Sequence, residues 1–589
     1  MEAADSQQKR EEGFQKRSPF EMIMNQIRRK KSFAERQHRS SVSRFFRSSE
    51  QDKSKTESIP EKNEGDEKAS SETDGEDKEN ISRLSDEPQS PDFDQPSTKG
   101  WGRVKLFMER MGKKPSSKNL NLNNCSLTAT DIIDLTTILP YLTALEELDL
   151  SWNDFIGGAL KPLTLHLQYV NSLKILKLNN CRLTVDDITA LGEAFVIIPN
   201  LEELDLSWNS YIGGNLSNLT QNVQAKCKIK QLRFLDCSLS GEDILLLGKT
   251  LHLVPELELL DLSLNKNIGS TIEILAQEMK HVPKLKSLKL HKCGITQDGI
   301  RLLGDAFQYF PELKKLDLSG NKEAGGGFKT AACHLAGLKE LQSLDLHQCS
   351  LTHEDTAALT QVIPLITSLQ VLNLSSNKNV GASSQHLCSR LRFLPKLKSI
   401  HLNNCGLNED SYRALAESAP YLTVLDTLDL SWNKCIGGQL NILMEMLGAG
   451  TALQALKLSS CNLMAEDLEA LASVCQSGYL AKLQKLDLMY NDTVDEVGWN
   501  SFFRDLNGLT ELSEMDISLR PSARRECGSW FSSLTECLTR LPALKEFGMQ
   551  RWILTASQRN SLEHFNKENK QNIQFEYYHS TRIDTQSPS

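Results

Sequence analysis

Seven of the fourteen cysteines fall on an arithmetic progression: Cys125, Cys181, Cys237, Cys293, Cys349, Cys405 and Cys461, each 56 residues from the last. Midway between them run Asn153, Asn209, Asn265, Asn321, Asn377 and Asn433, with Asn491 two residues late. Markers that keep a fixed interval over hundreds of residues mean stacked copies of one small unit, each burying its apolar face against its neighbours. The unit is 28 residues long and alternates two types. One reads Leu-x-Leu-x-x-Cys-x-Leu, as in Leu176, Leu178, Cys181 and Leu183; the other reads Leu-x-x-Leu-Asp-Leu-Ser-x-Asn, as in Leu201 through Asn209. Seven units of each type are followed by two degenerate copies, around Met515, Ile517 and Arg520 and around Phe547, Met549 and Trp552. Sixteen repeats are therefore expected over about 115 to 557.

The chemistry of one unit follows from its pattern. In a strand, alternate residues face opposite sides, so the leucines point into the core and the residues between them line the other face. The Cys or Asn then turns the chain out of the strand. An Asn there can hydrogen-bond the adjacent turn, and a small buried Cys fills the same slot as a weak donor. In the Cys units Thr128, Thr184, Ser240 and Thr352, each followed three residues later by Asp131, Asp187, Asp243 or Asp355, read as capping boxes that start a helix. In Asn units that segment is Ile156-Gly157-Gly158, Ile212-Gly213-Gly214 or Ile436-Gly437-Gly438, where glycine allows backbone angles that larger residues resist. Parallel strands lie about 4.8 Å apart, so ladder cysteines two strands apart are separated by roughly 10 Å, beyond the reach of a disulfide. Reduced thiols point to a cytoplasmic setting.

Alternating Cys and Asn units at this spacing resemble the ribonuclease-inhibitor class of leucine-rich repeats. The likeness covers about three quarters of the chain. It implies an α/β fold, a right-handed horseshoe solenoid with a parallel sheet on the concave face and helices outside, used as a binding scaffold without catalysis. It brings no functional residues with it.

Four segments are expected. Residues 1–100 read as a disordered tail, since 51–100 is rich in Ser, Glu, Asp and Lys and too poor in apolar residues to offset the entropy of ordering. Residues 101–118 hold an N-terminal cap helix built on Trp101, Val104, Leu106, Phe107 and Met111. Residues 119–557 are the solenoid, and 558–589 a C-terminal cap and frayed tail. The tail is a charge dipole, with 12 Lys+Arg against 7 Asp+Glu in 1–50 and 7 against 15 in 51–100. Phe20, Ile23, Met24 and Ile27 stand at helical spacing ahead of Arg28-Arg29-Lys30-Lys31, so residues 18–47 fit a membrane surface, calmodulin or an import receptor. Ser32, Ser40 and Ser48 lie near arginines, where phosphorylation would weaken such contacts. A net charge of -9 argues against general nucleic-acid binding, and no stretch approaches the roughly 18 apolar residues of a membrane span.

Signals of catalysis fail one by one. Gly248-Lys249-Thr250 has Asp243 where a P-loop needs its first glycine, and there is no C-x-x-C, H-E-x-x-H or G-x-S-x-G pattern. His291, His347 and His401 are spread along the strands rather than convergent, so no metal is expected. No cofactor is expected either.

The informative surface is the concave one. Residues between the two strand leucines read Asp149, Lys177, Asp205, Arg233, Asp261, Lys289, Asp317, Asp345, Asn373, His401, Asp429, Lys457 and Asp487. Alternation through Lys289 predicts a laterally self-neutralising ladder. It fails at Asp317 and Asp345, two adjacent acids fit for a cationic partner group. One residue before the Asn stand Trp152, Trp208, Trp432 and Tyr490. They either lie over neighbouring Gly-Gly loops or grip a partner at the strand-exit rim. The expectation is a monomeric, non-enzymatic scaffold that binds a protein on the concave face and rim. The competing readings are an enzyme regulator, either a ribonuclease inhibitor or a small-GTPase activator, and an adapter tethered to a membrane through 18–47.

Overall fold

The computed structural model describes residues 98–577, apart from 226, 384, 449 and 569–571. The readings made on residues 1–97, including the basic segment 18–47, and on the last dozen residues lie outside the described part.

Seventeen three-residue strands, from Asn119–Asn121 to Gln574–Glu576, form one parallel sheet. A helix or short helical turn lies between nearly all successive strands, and through the regular part the register advances by one repeat per strand, Leu148 facing Leu176 and Leu176 facing Leu204. The middle residue of each strand points inward, and Leu120, Leu148, Leu260, Leu344 and Leu456 have no exposed surface. A buried leucine of this kind contributes about 1.5–3 kcal/mol, repeated along the whole length of the sheet.

The two unit types are interlocked at their helix starts. Thr128, Thr184, Ser240 and Thr352 each form a full capping box with the Asp three residues on. In three of these boxes the Asp does more. The Asp187 carboxylate accepts the Thr184 amide at 2.8 Å and also two amides of the preceding Asn unit, Gly158 at 2.6 Å and Leu160 at 2.9 Å. Asp243 and Asp355 repeat this toward Gly214 and Gly326, and Asp467 does so toward Gly438. One buried carboxylate thus satisfies orphan N–H groups at two helix starts. Close packing explains the Gly-Gly loops as well: a Cβ on Gly157 would stand 2.0 Å from the Arg182 carbonyl oxygen, and Gly158 has a positive φ of 84°. These glycines answer to backbone of the next turn.

At the N-terminal end, helix Thr98–Arg110 buries Val104, Phe107 and Met108 over the first repeat. At the other end the sheet runs one strand past the sixteen expected repeats. Gln574–Glu576 pairs with Glu546–Gly548, and Phe575 faces Phe547 in place of the usual leucine pair. The preceding spacing is irregular, because Met515 and Phe547 are register partners 32 residues apart. The additional residues make a second, two-stranded sheet, Arg525–Glu526 beside Trp552–Ile553, over an aromatic cluster in which the Trp530 and Trp552 rings lie 4.9 Å apart.

Candidate functional site on the concave face and its rim

The turn that ends each strand separates two adjacent columns of side chains. The inner column is the Asn and Cys ladder. Asn209 is 1 % exposed; its Oδ1 accepts the Cys181 amide at 3.2 Å and the Leu183 amide at 3.1 Å, and its Nδ2 donates to Leu178 and Leu206 carbonyls, both at 2.8 Å. Asn153, Asn265, Asn321, Asn377, Asn433 and Asn491 are buried and likewise donate to carbonyls of their own and the preceding turn. The thiols of Cys181, Cys237, Cys293, Cys349, Cys405 and Cys461 reach a carbonyl one strand back, at 3.2 Å for Cys181 and Leu150. Burial pushes the Cys181 and Cys237 thiols up to about 12, so they are inert. Cys125, in the first unit, is only half-buried. The structure joins none of the fourteen cysteines in a disulfide.

The outer column, one residue earlier, holds a left-handed backbone in unit after unit: Asn124, Asn180, Asp236, Gly320 and Asn404 occupy it with types suited to positive φ, while Leu264, Lys292, Gln348, Ser376 and Ser460 hold it without that advantage. Trp152, Trp208, Trp432 and Tyr490 occupy the same position at φ of 63°, 65°, 64° and 62°. A bulky side chain there costs roughly 1 kcal/mol. Trp152 is 38 % exposed and Trp432 52 %, while Trp208 and Tyr490 are half-buried. The Trp432 and Tyr490 rings meet edge to face at 6.2 Å. Two further aromatics follow the first pair in sequence, Phe155 at 67 % exposure and Tyr211 at 59 %. Each lies three residues beyond a tryptophan, in Trp-Asn-Asp-Phe and Trp-Asn-Ser-Tyr; that shared spacing was the available signal for two residues the sequence reading passed over.

The charge ladder is built differently from its sequence reading. Its acids first serve their own turns: Asp149, Asp205, Asp261, Asp317 and Asp345 each accept, through Oδ1, the amide two residues on, at 2.9–3.1 Å. Two of its four lysine and arginine side chains are held elsewhere. Lys177 binds Glu147 at 2.7 Å and Arg233 binds Glu203, both at the strand entry rather than in the ladder. Lys289 with Asp261 at 3.2 Å and Lys457 with Asp429 at 3.5 Å are the cross-strand ladder pairs.

At the centre the ladder changes character. Asp317 and Asp345 are direct register partners. Asp317 accepts the Ser319 hydroxyl at 2.5 Å, and Ser319 Oγ is 2.7 Å from His291 Nδ1. Asp345 accepts Asn373 Nδ2 at 3.0 Å. Burial first, and the Asp317 charge second, push Asp345 up to about 6. Burial lowers His291 and His347 below the ordinary histidine value. His401 lies toward Asp429, at 3.9 Å; burial would raise Asp429, but the His401 hydrogen bond and the Lys457 charge outweigh it and hold the carboxyl at about 2. Among the described residues no three His, Cys, Asp or Glu side chains are grouped to hold a metal. No described helix is long and apolar enough to cross a membrane.

A model of the Leucine Rich repeat family matches residues 141–159 and 198–215. The chain is 28% identical to the ribonuclease inhibitor of Mus musculus over 442 residues, 73% of this chain and 82% of that one. It is 28% identical to the inhibitor of Sus scrofa over 397 residues, 65% and 84% of the two chains. It is also 28% identical over 243 residues to NLR family CARD domain-containing protein 4 of Xenopus tropicalis, 41% of this chain and 23% of that protein. Among solved structures, an internalin from Listeria monocytogenes aligns with a TM-score of 0.40 at 17% identity, covering 67% of this chain and 95% of that one. The repeats and the parallel sheet form a leucine-rich-repeat-type α/β solenoid, similar in sequence to the ribonuclease inhibitors.

Proposed function

We propose that the solenoid is a non-enzymatic scaffold that binds a protein partner across its concave face and strand-exit rim. One observation carries this reading: Trp152, Trp208, Trp432 and Tyr490 hold a backbone conformation that penalises large side chains, and they stand partly exposed, with Phe155 and Tyr211 following the first pair in sequence. Large aromatic surface kept outside the core against a local cost matches what interface centres use. The acid pair Asp317 and Asp345 supplies the matching electrostatic anchor, a place for a lysine or arginine of the partner. Such a cation would relieve their mutual repulsion.

Regulation of an enzyme is the second reading, favoured by the long match to ribonuclease inhibitors. In that case the partner is an enzyme whose basic side chain enters the acid pair. Fourteen cysteines without a disulfide fit a reducing cytoplasm, and a monomer suffices to present the whole face.

Affinity capture of the full chain tests this with two variants, Trp152→Ala with Trp208→Ala, and Asp317→Lys with Asp345→Lys, circular dichroism confirming that each folds. A partner set lost from both variants is the expected result. An unchanged set from both would overturn the reading and direct attention to residues 18–47.

A further inference from the structure

The one large break in the repeat is the 32-residue step between Met515 and Phe547. Its inserted residues include Arg520-Pro521-Ser522-Ala523-Arg524-Arg525, three arginines and no acid in six positions. The Ala523 amide donates to the Arg520 carbonyl at 2.9 Å, which closes a β-turn with Pro521 and Ser522 at its tip. Both tip residues are exposed. The turn is fastened at its two ends. Arg520 donates to Ser460 Oγ at 3.1 Å and lies 3.7 Å from the Asp492 carboxylate. Arg525 donates to the Val494 carbonyl at 3.0 Å and the Asp492 carbonyl at 2.5 Å, and Cys527 beyond it is buried.

We propose that Ser522 is a phosphorylation site for an arginine-directed serine kinase. An exposed hydroxyl at a turn tip, flanked by Arg520, Arg524 and Arg525 with no acid between them, stands in the local positive charge that an acidic substrate groove recognises, although Arg520 and Arg525 also fasten the turn. In the reaction Ser522 Oγ attacks the γ-phosphorus of ATP. The bond from that phosphorus to the bridging oxygen of ADP breaks, and the hydroxyl proton passes to the kinase base. The product phosphate carries about -1.5 to -2 charges and three acceptor oxygens. It competes with Asp492 for Arg520, and Asp492 stands two residues from Tyr490. Modification therefore rearranges the rim beside the Trp432 and Tyr490 pair. The site itself does not depend on the scaffold reading.

The test is incubation of the folded full-length chain with ATP, magnesium and an arginine-directed serine kinase, followed by site-resolved mass spectrometry. Serines near arginines in the first fifty residues, such as Ser32, Ser40 and Ser48, act as internal controls for kinase activity. The expected result is phosphate at Ser522, absent from Ser522→Ala, with an initial rate at least about tenfold lower in Arg520→Ala, as electrostatic recognition requires. Arg524→Ala serves as the second variant, because Arg520 also braces the fold, and a lowered rate is expected there too. Modification of the control serines with Ser522 untouched overturns the proposal. Equal rates at Ser522 in the wild type and both arginine variants also overturn it.

Discussion

Trp208 and Asn209 are neighbours in the chain, and the structure uses them in opposite ways. Asn209 is sealed from solvent with its donors and acceptor engaged by two turns. Trp208 sits in a left-handed conformation suited to asparagine or glycine and shows part of its ring to solvent. The same pairing recurs at Trp152 with Asn153, Trp432 with Asn433 and Tyr490 with Asn491. The inner column is uniform because every turn has the same backbone groups to satisfy. The outer column varies because the turn fixes only its φ. On the proposed reading, the tryptophans of this column serve an external contact and not the turn.

The comparison can be broken first on its inner side. Asn265→Ala leaves the buried amides of Cys237 and Leu239 and the carbonyl of Phe234 without partners, and leaves the Leu262 carbonyl only the Cys293 thiol. We expect a loss of about 3 kcal/mol or more by chemical denaturation, with hydrogen exchange rising locally around the two turns. Asp243→Ala should follow, at about 2–3 kcal/mol, since it removes the acceptor of the Ser240, Gly214 and Leu216 amides. Fast exchange at Gly214 and Leu216, in the unit before the substitution, would identify the shared carboxylate; protection there unchanged would dismiss it.

The acid pair offers a pH readout. The folded-state value of Asp345, about 6, lies above the ordinary 3.8. The folded protein therefore holds a proton there that the unfolded chain releases between about pH 4 and 6. This site's contribution to stability falls as pH rises through that window, by up to about 3 kcal/mol. Asp345→Asn should flatten the dependence and raise stability above pH 6, while weakening a cationic partner. An unchanged pH profile in the variant would place the titration elsewhere. The smallest expected effect belongs to the outer column: Trp208→Asn, which suits the left-handed turn, should leave stability level or raise it by about 0.5–1 kcal/mol.

The period of the solenoid was legible in the sequence because each buried slot repeats its residue type, so the Asn and Cys columns and the capping boxes could be placed by counting. Three features were hidden. The capping-box pattern names only the helix it starts, so nothing in it announces that Asp187 also holds Gly158 and Leu160. The seventeenth strand lacks leucine and a following Cys or Asn, and only its pairing with Phe547 reveals Phe575 as a strand residue. The charge ladder was legible only in part, because alternation counts charges and ignores reach: Lys289 pairs with Asp261 as expected, while Lys177 and Arg233 turn to Glu147 and Glu203 at the strand entry. The outer aromatic column was visible as spacing, but its cost became visible only with the φ values.

The account rests on the aromatics of the outer column serving a partner and not the fold. The most direct measurement takes a Trp152→Asn and Trp208→Asn variant and follows denaturant unfolding and partner capture on the same preparation. Unfolding midpoints equal to or above wild type, together with loss of captured partners, are what the account predicts. A stability loss of more than about 2 kcal/mol with the partner set intact would contradict it, and would return the tryptophans to the solenoid's own packing.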